Sequence, residues 1–326
     1  MKAKNITLKV SQDSNLDFTS IASALTAAMQ YEGSRVTIQI GNGIYKERLI
    51  ISQNNLILCG ESANETIITF GDYALSIMEN GEKRGTFRTP TVFIDANDFT
   101  AHNITFQNSA GSGPKTGQAL AVYVDGERIL LENCRLLGGQ DTLFTAPLPP
   151  VEHEKYGFRG PKEFAPRLCG QHYYKNCFIS GDVDFIFGGA TAYFEGCEIF
   201  SRNIQKEVNG YITAASTPEG QSFGYVFNQC QFTSDCPQES VYLGRPWRDF
   251  AKVVILNSVL GAHIKAEGWH DWGKKEAQDT VYFAEYNNTG KGALTDRRVP
   301  WSKLLTSEEA EKYTKENVLS SFREKL

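Results

Sequence analysis

Two aspartates sit at the same place in a repeated pattern. Residues 131–142 read LENCRLLGGQDT and residues 174–185 read YKNCFISGDVDF. Each carries Asn-Cys, an apolar residue two places after the Cys, a Gly four places after it and an Asp seven places after it. A shorter form of the register, without the Asp, returns around Cys197, Cys230 and Ser258. Such self-similarity predicts stacked coils of a β-solenoid, in which each coil contacts mainly its neighbours. Equivalent residues of adjacent coils then lie one strand spacing apart, roughly 4.8 Å. Asp141 and Asp184 would stand side by side. Two carboxylates that close do not both ionise freely, so one keeps its proton while the other is an anion. An acid and an anion in one place suit acid–base or nucleophilic chemistry. On spacing alone, two turn aspartates, which favour such loops for local hydrogen bonding, fit equally well.

The elements that must hold this pair are short. From Arg35 onward, apolar runs of strand length alternate with Gly, Asn and Asp: 36–40, 49–51, 56–58, 66–70, 91–94, 104–106, 121–124, 129–131, 225–227 and 253–256. Their β-branched content and turn punctuation read as strands. No amphipathic helix interrupts them, which argues against βαβ folds. Thr19 and Ser20 precede small apolar residues at helical spacing over 21–29, predicting a helix that closes one end of the stack. Thr306 and Glu309 form a capping-box pattern, predicting a C-terminal helix along the side. The fold class expected is all-β, a parallel β-helix with a short helix at each end. Residues 1–326 would form a single domain, since no linker or shift in composition divides them. Residues 145–167, with five prolines among charges, and residues 72–90 break the rhythm and predict excursions. Long loops on a regular scaffold often shape a cleft.

Composition narrows the function. The formal net charge is −5 and no notable Lys/Arg cluster occurs, which excludes a nucleic-acid protein. No apolar run approaches a membrane span. The start MKAKNIT is basic, but no apolar stretch follows, so no secretory leader is expected. Of seven cysteines, Cys134, Cys177, Cys197 and Cys230 share the repeat register and read as small buried hydrophobes. Cys59, Cys169 and Cys236 lack zinc-site spacing, and the five histidines are scattered, so no metal is expected. A reducing cytoplasm fits these thiols.

Five further stretches carry a family resemblance. They are GIYKE at 43–47, QALAV at 118–122, GQDTL at 139–143, DFIFG at 184–188 and LGRPW at 243–247. In these motifs and their order the chain resembles the pectin methylesterases, right-handed parallel β-helix carbohydrate esterases. The resemblance covers most of the chain, and both register-matched aspartates fall inside its motifs. It implies hydrolysis of galacturonate methyl esters in pectin or in methylated oligogalacturonides, with no cofactor; a monomer is the expected state. It implies Asp184 as nucleophile and Asp141 as acid and then base. Gln118 and Gln140 would hold the oxyanion, and Arg245 would orient Asp184. Trp247, Phe144 and Phe187 would line the sugar groove. Trp269 and Trp272 also match, in cleft or scaffold. Tyr45 and Glu47 read as structural, and Asp125 and Asp182 as surface or turn residues.

Other readings compete. GQSFG at 220–224 matches the nucleophile elbow of serine esterases, but that motif needs a strand before it and a helix after it. A retaining glycosidase would also use two carboxylates about 5 Å apart. Neighbouring Gln amides suit an acyl oxyanion better than an oxocarbenium ion. A non-catalytic polysaccharide-binding solenoid fits the repeat but not the pairing of Gln140 and Asp141 with Arg245. A pectate lyase would be expected to show an acidic calcium cluster, and none is visible. The resemblance departs at one place. Cys134 and Cys177 are 43 positions apart, whereas Cys177 and Cys197 are 20 apart. The proline-rich excursion lies in that extra length.

Overall fold

The structure, a computed structural model, describes residues 5–12 and 16–322; the basic start at 1–4 lies outside them. Its strands form three parallel sheets of eleven, seven and eight strands among the described residues. The chain visits the sheets in turn. Ile129–Glu132, Arg135–Leu137 and Leu143–Thr145 make one coil, and Gln171–Lys175, Phe178–Gly181 and Val183–Gly188 make the next. This is the right-handed parallel β-helix that the repeat implied.

The Asn-Cys signature has a backbone cause. The residue before each register Cys or Ser turns a corner in the left-handed region: Asn133 (φ 52°), Asn176 (51°), Gln229 (56°) and Asn257 (49°). Asn enters that region more readily than most residues. The next residue then points inward. Cys134, Cys177, Cys197 and Cys230 are all buried, and the amide of Cys177 meets Cys197 Sγ at 3.4 Å. Aromatic rings stack beside them, with Tyr174, Phe194 and Phe227 spaced 4.7 and 4.4 Å apart at 9°. In parallel sheets, residues in register stack directly, so similar side chains at one position make a continuous column.

The ends are closed as expected. Ile21–Ala28 is helical, capped by Ser20, and buries Ile21, Ala24 and Ala28 against the core. The Glu47 carboxylate accepts the free amides of Ile21 and Ala22 at 3.0 and 2.8 Å, where a negative charge suits the positive helix end. Tyr45 donates to the Gly41 carbonyl at 2.9 Å. The structural reading of both residues therefore holds. At the C-terminus the single helix expected is broken in two. Ser307–Ala310 carries the Thr306/Glu309 capping box, and Lys315–Val318 restarts behind Thr314. Val318, Leu319 and Phe322 pack on Tyr173, Tyr193 and Val226, covering the outer face of the eleven-stranded sheet.

The seven-stranded sheet positions the site. Its outer face carries Phe93, Tyr123, Phe144, Phe187, Ala214 and Arg245 in one register line. Both excursions fold onto this line. Residues 72–90 bring Phe87 and residues 145–167 bring Phe158 into the same aromatic cluster.

Candidate active site

Asp141 precedes the strand Leu143–Thr145, and Asp184 is the second residue of its neighbour Val183–Gly188; the two strands pair as Leu143↔Ile186 and Phe144↔Phe187. The repeat register thus sets the two aspartates on adjacent rungs, and the Asp141 amide donates to the Val183 carbonyl at 3.0 Å. Both have left-handed backbones, with φ of 64° and 52°. Residues held in that region concentrate at functional sites, where the surroundings must enforce them. Here the enforcement is local. Thr142 donates through its hydroxyl to the Gly139 and Ser180 carbonyls at 3.1 and 3.0 Å. The repeated Gly is needed for close approach, since a Cβ on Gly181 would fall 2.2 Å from the Cβ of Phe185.

Arg245 grips Asp184 with two parallel bonds, Nε to Oδ1 at 2.8 Å and Nη2 to Oδ2 at 2.6 Å. Its guanidinium is sandwiched 3.6 Å from the centre of the Trp272 ring and 3.8 Å from that of Tyr211. The fork therefore has its direction fixed as well as its charge. Both aspartates are buried, at 7% and 6% exposure. Burial pushes the Asp141 carboxyl well above the usual carboxylate range; the Asp184 charge raises it further, Arg245 opposes and Asp182 adds. Burial also pushes Asp184 up, but there the Arg245 bonds and charge oppose it directly. Arg245 thus favours the anion at Asp184, whereas burial and the neighbouring charge favour the proton on Asp141.

Gln118 and Gln140 line the same cleft, on the carboxylate pair. Their backbones are pinned, Gln118 accepting from Ala74 at 2.8 Å and Gln140 from Ala119 at 3.1 Å. No hydrogen bond within the described residues engages either side-chain amide. Those donors are open to the cleft, which holds about 560 Å³ and is also lined by Phe187, Trp247 and Trp272.

Phe144 does not belong to the lining. It has 0% exposure and lies beneath Phe87, Tyr123, Phe187 and Trp247. It supports the floor, and the register line that brings Phe187 to the surface buries Phe144 under the 72–90 loop. Trp269 and Trp272, three residues apart, divide: Trp269 stacks on Phe283 in the core, while Trp272 reaches the cleft. Asp182 is not a surface residue. It is 3% exposed and accepts from Ser112 Oγ at 2.6 Å and from the Val183 amide at 2.8 Å. Asp125 is half-buried against Lys162 at 3.2 Å and stands outside the cleft. Ser222 of the serine motif is exposed in a turn, with the strand Tyr225–Asn228 rather than a helix after it. Tyr211, Phe87 and Phe158 carried no sequence cue, since each reaches the site from a coil or loop remote from the motifs; Arg248 and Lys274 also line it, next to Trp247 and Trp272, but stand outside the matched motifs.

The chain matches the family model described as Pectinesterase over residues 7–148 and 167–321. It is 36% identical over 310 residues to Pectinesterase 31 of Arabidopsis thaliana, covering 93% of this chain and 89% of the relative. A longer relative, Pectinesterase/pectinesterase inhibitor 18 of the same plant, is 32% identical over 317 residues, and the chain spans 52% of it. The fold superposes on pectin methylesterase PemA from Erwinia chrysanthemi with a TM-score of 0.79 and 31% identity, over 97% of this chain and 98% of the other. Pectin methylesterase from carrot gives a TM-score of 0.82 and 30% identity, over 97% and 93%. The chain belongs to the pectinesterase family.

Proposed function

We propose that this chain is a carboxylic-ester hydrolase that removes methyl groups from galacturonate esters of pectin, through an aspartate nucleophile. The observation that carries the reading is the Arg245 fork on Asp184 beside an Asp141 with no such partner. Relatives named pectin methylesterase, one of them in complex with a hexasaccharide, support the substrate class.

The Asp184 carboxylate attacks the ester carbonyl, forming a tetrahedral adduct whose oxyanion takes hydrogen bonds from the Gln118 and Gln140 amides. The carbon–oxygen bond to the methoxy group breaks as Asp141 delivers its proton, and methanol leaves. An anhydride joins Asp184 to the uronate. Asp141, now a carboxylate, takes a proton from water, and the hydroxide oxygen bonds to the uronate carbonyl. The anhydride opens, Asp184 returns as an anion, and the uronic acid departs and gives its proton to solvent. Arg245 holds Asp184 in line throughout, and Trp247, Trp272 and Phe187 offer apolar walls to sugar faces.

The monomer is sufficient for this chemistry, since every group named comes from one chain. Methanol release from highly esterified pectin, with EDTA present, tests the reaction. Asp184→Ala should abolish it while the protein stays folded. Full activity in that variant would sink the assignment.

A further inference from the structure

The family model leaves residues 149–166 unmatched, yet this segment contributes His153, Glu154, Gly157 and Phe158 to the cleft. It is not a loose insertion. At one end the Arg248 Nη2 donates to the Val151 carbonyl at 2.9 Å, tying the segment to the strand that carries Arg245 and to Trp247. At the other end Lys162 bridges Asp95 at 2.6 Å and Asp125 at 3.2 Å, two carboxylates paired in register on adjoining rungs. Arg159 pairs with Glu82 of the 72–90 loop at 2.7 Å. The two loops meet without a gap, since a Cβ on Gly160 would fall 2.8 Å from the Phe87 carbonyl oxygen. Between these anchors Phe158 is buried, with its ring centre 5.9 Å from Phe87 and 6.2 Å from Trp247. The segment therefore runs as a strap along the cleft, sealed to the 72–90 loop at one end and to Arg248 at the other.

We infer that this strap is a size filter, and that the preferred substrate is a short methyl-esterified uronate oligomer rather than the polymer; the inference rests on the esterase reading above. The cleft holds about 560 Å³ and is partly open to solvent; that volume falls in the range of sites that take a small ligand, about 300–1,000 Å³. On this inference a polymer extends beyond that volume and runs against the strap's lining residues His153, Glu154 and Phe158, whereas a short oligomer does not. Because the strap is fixed by ion pairs and a buried aromatic ring, moving it aside for a long chain means breaking those contacts.

Methanol release is compared, at equal ester concentration, between methylated oligogalacturonides of about three to six residues and highly esterified pectin. The wild-type protein should favour the oligomers by about tenfold or more in kcat/KM. Two variants act on the strap, the first removing its lining residues and the second keeping them. One replaces residues 150–165 by a short Gly-Ser linker, and the other combines Arg159→Ala with Lys162→Ala, which frees the strap while leaving the cleft lining in place. Each should raise the polymer rate relative to the oligomer rate, so that the preference collapses, and the double variant, which keeps the lining, should leave the oligomer rate within about threefold. If the linker variant does not fold, the double variant decides. Equal wild-type rates on both substrates, or an unchanged ratio in a folded variant, would overturn the filter. Absence of methanol from every substrate would overturn the esterase reading and the filter with it.

Discussion

Replacing Arg245 by Lys keeps the charge and removes the geometry. The guanidinium makes two charge-assisted bonds to Asp184 and lies flat between Trp272 and Tyr211. A lysine ammonium can reach one carboxylate oxygen but not both, and has no plane to hold between the rings. The pair is largely buried, with side-chain exposures of 14% and 8%, so solvent screening takes little from it. One hydrogen bond to a charged group contributes about 1.5–3 kcal/mol. If that loss falls on orientation of the nucleophile, kcat should drop by about 10- to 150-fold, at 1.36 kcal/mol per decade. The pH profile should move as well. Asp184 acts as an anion; burial raises its pKa and Arg245 opposes the rise. A weaker partner leaves burial less opposed, so the acid limb of kcat/KM should shift to higher pH in Arg245→Lys and further in Arg245→Ala. Initial rates of methanol release across pH give both readouts. A lysine variant within threefold of wild type, with its acid limb unmoved, would refute the idea that the fork directs Asp184.

Gln140→Ala should lower kcat by about 100- to 1,000-fold, with KM changed far less, because an oxyanion donor acts on charge present only in the transition state; steady-state kinetics on esterified pectin would show the split. Asp141→Asn should stabilise the fold at alkaline pH. The Asp141 pKa is raised in the folded state, so the wild type loses stability as pH rises through that value, while Asn has no proton to lose. The melting-temperature gap should widen from acid toward alkaline pH, and a gap that stays constant would contradict the assignment of the proton. Arg298→Ala should cost about 3–5 kcal/mol, because it leaves Glu285 charged and buried at 3% side-chain exposure, and strips donors from the carbonyls of Lys265, Ala266 and Gly292; chemical denaturation would measure it.

The repeat alone specifies the coil and sets two aspartates side by side. In a parallel solenoid, one residue position maps onto one column, so the repeat of Asn, Cys, Gly and Asp in 131–142 and 174–185 already placed Asp141 beside Asp184. The corner conformation of Asn133 and Asn176 is local, and the Gly at 138 and 181 reports a close approach within the same repeat. Helix caps at Ser20 and Thr306 are likewise written in a few neighbouring residues. The tertiary structure alone decided what covers the outer face. Whether Phe144 or Phe187 meets the cleft depends on where Phe87 lands, and Phe87 arrives from a loop more than one coil away. Trp269 and Trp272 part because the backbone turns through the left-handed region at Trp272, with φ of 58°, and throws its ring over Arg245. Asp182 reads as a turn residue until Ser112, 70 positions earlier, is seen to bury it. The strap keeps its place through Lys162 on Asp95 and Asp125, a contact fixed by the stacking of rungs and not by spacing within the segment. A local repeat can specify which residues stack, but the path of a long excursion is set by the distant groups that its side chains reach.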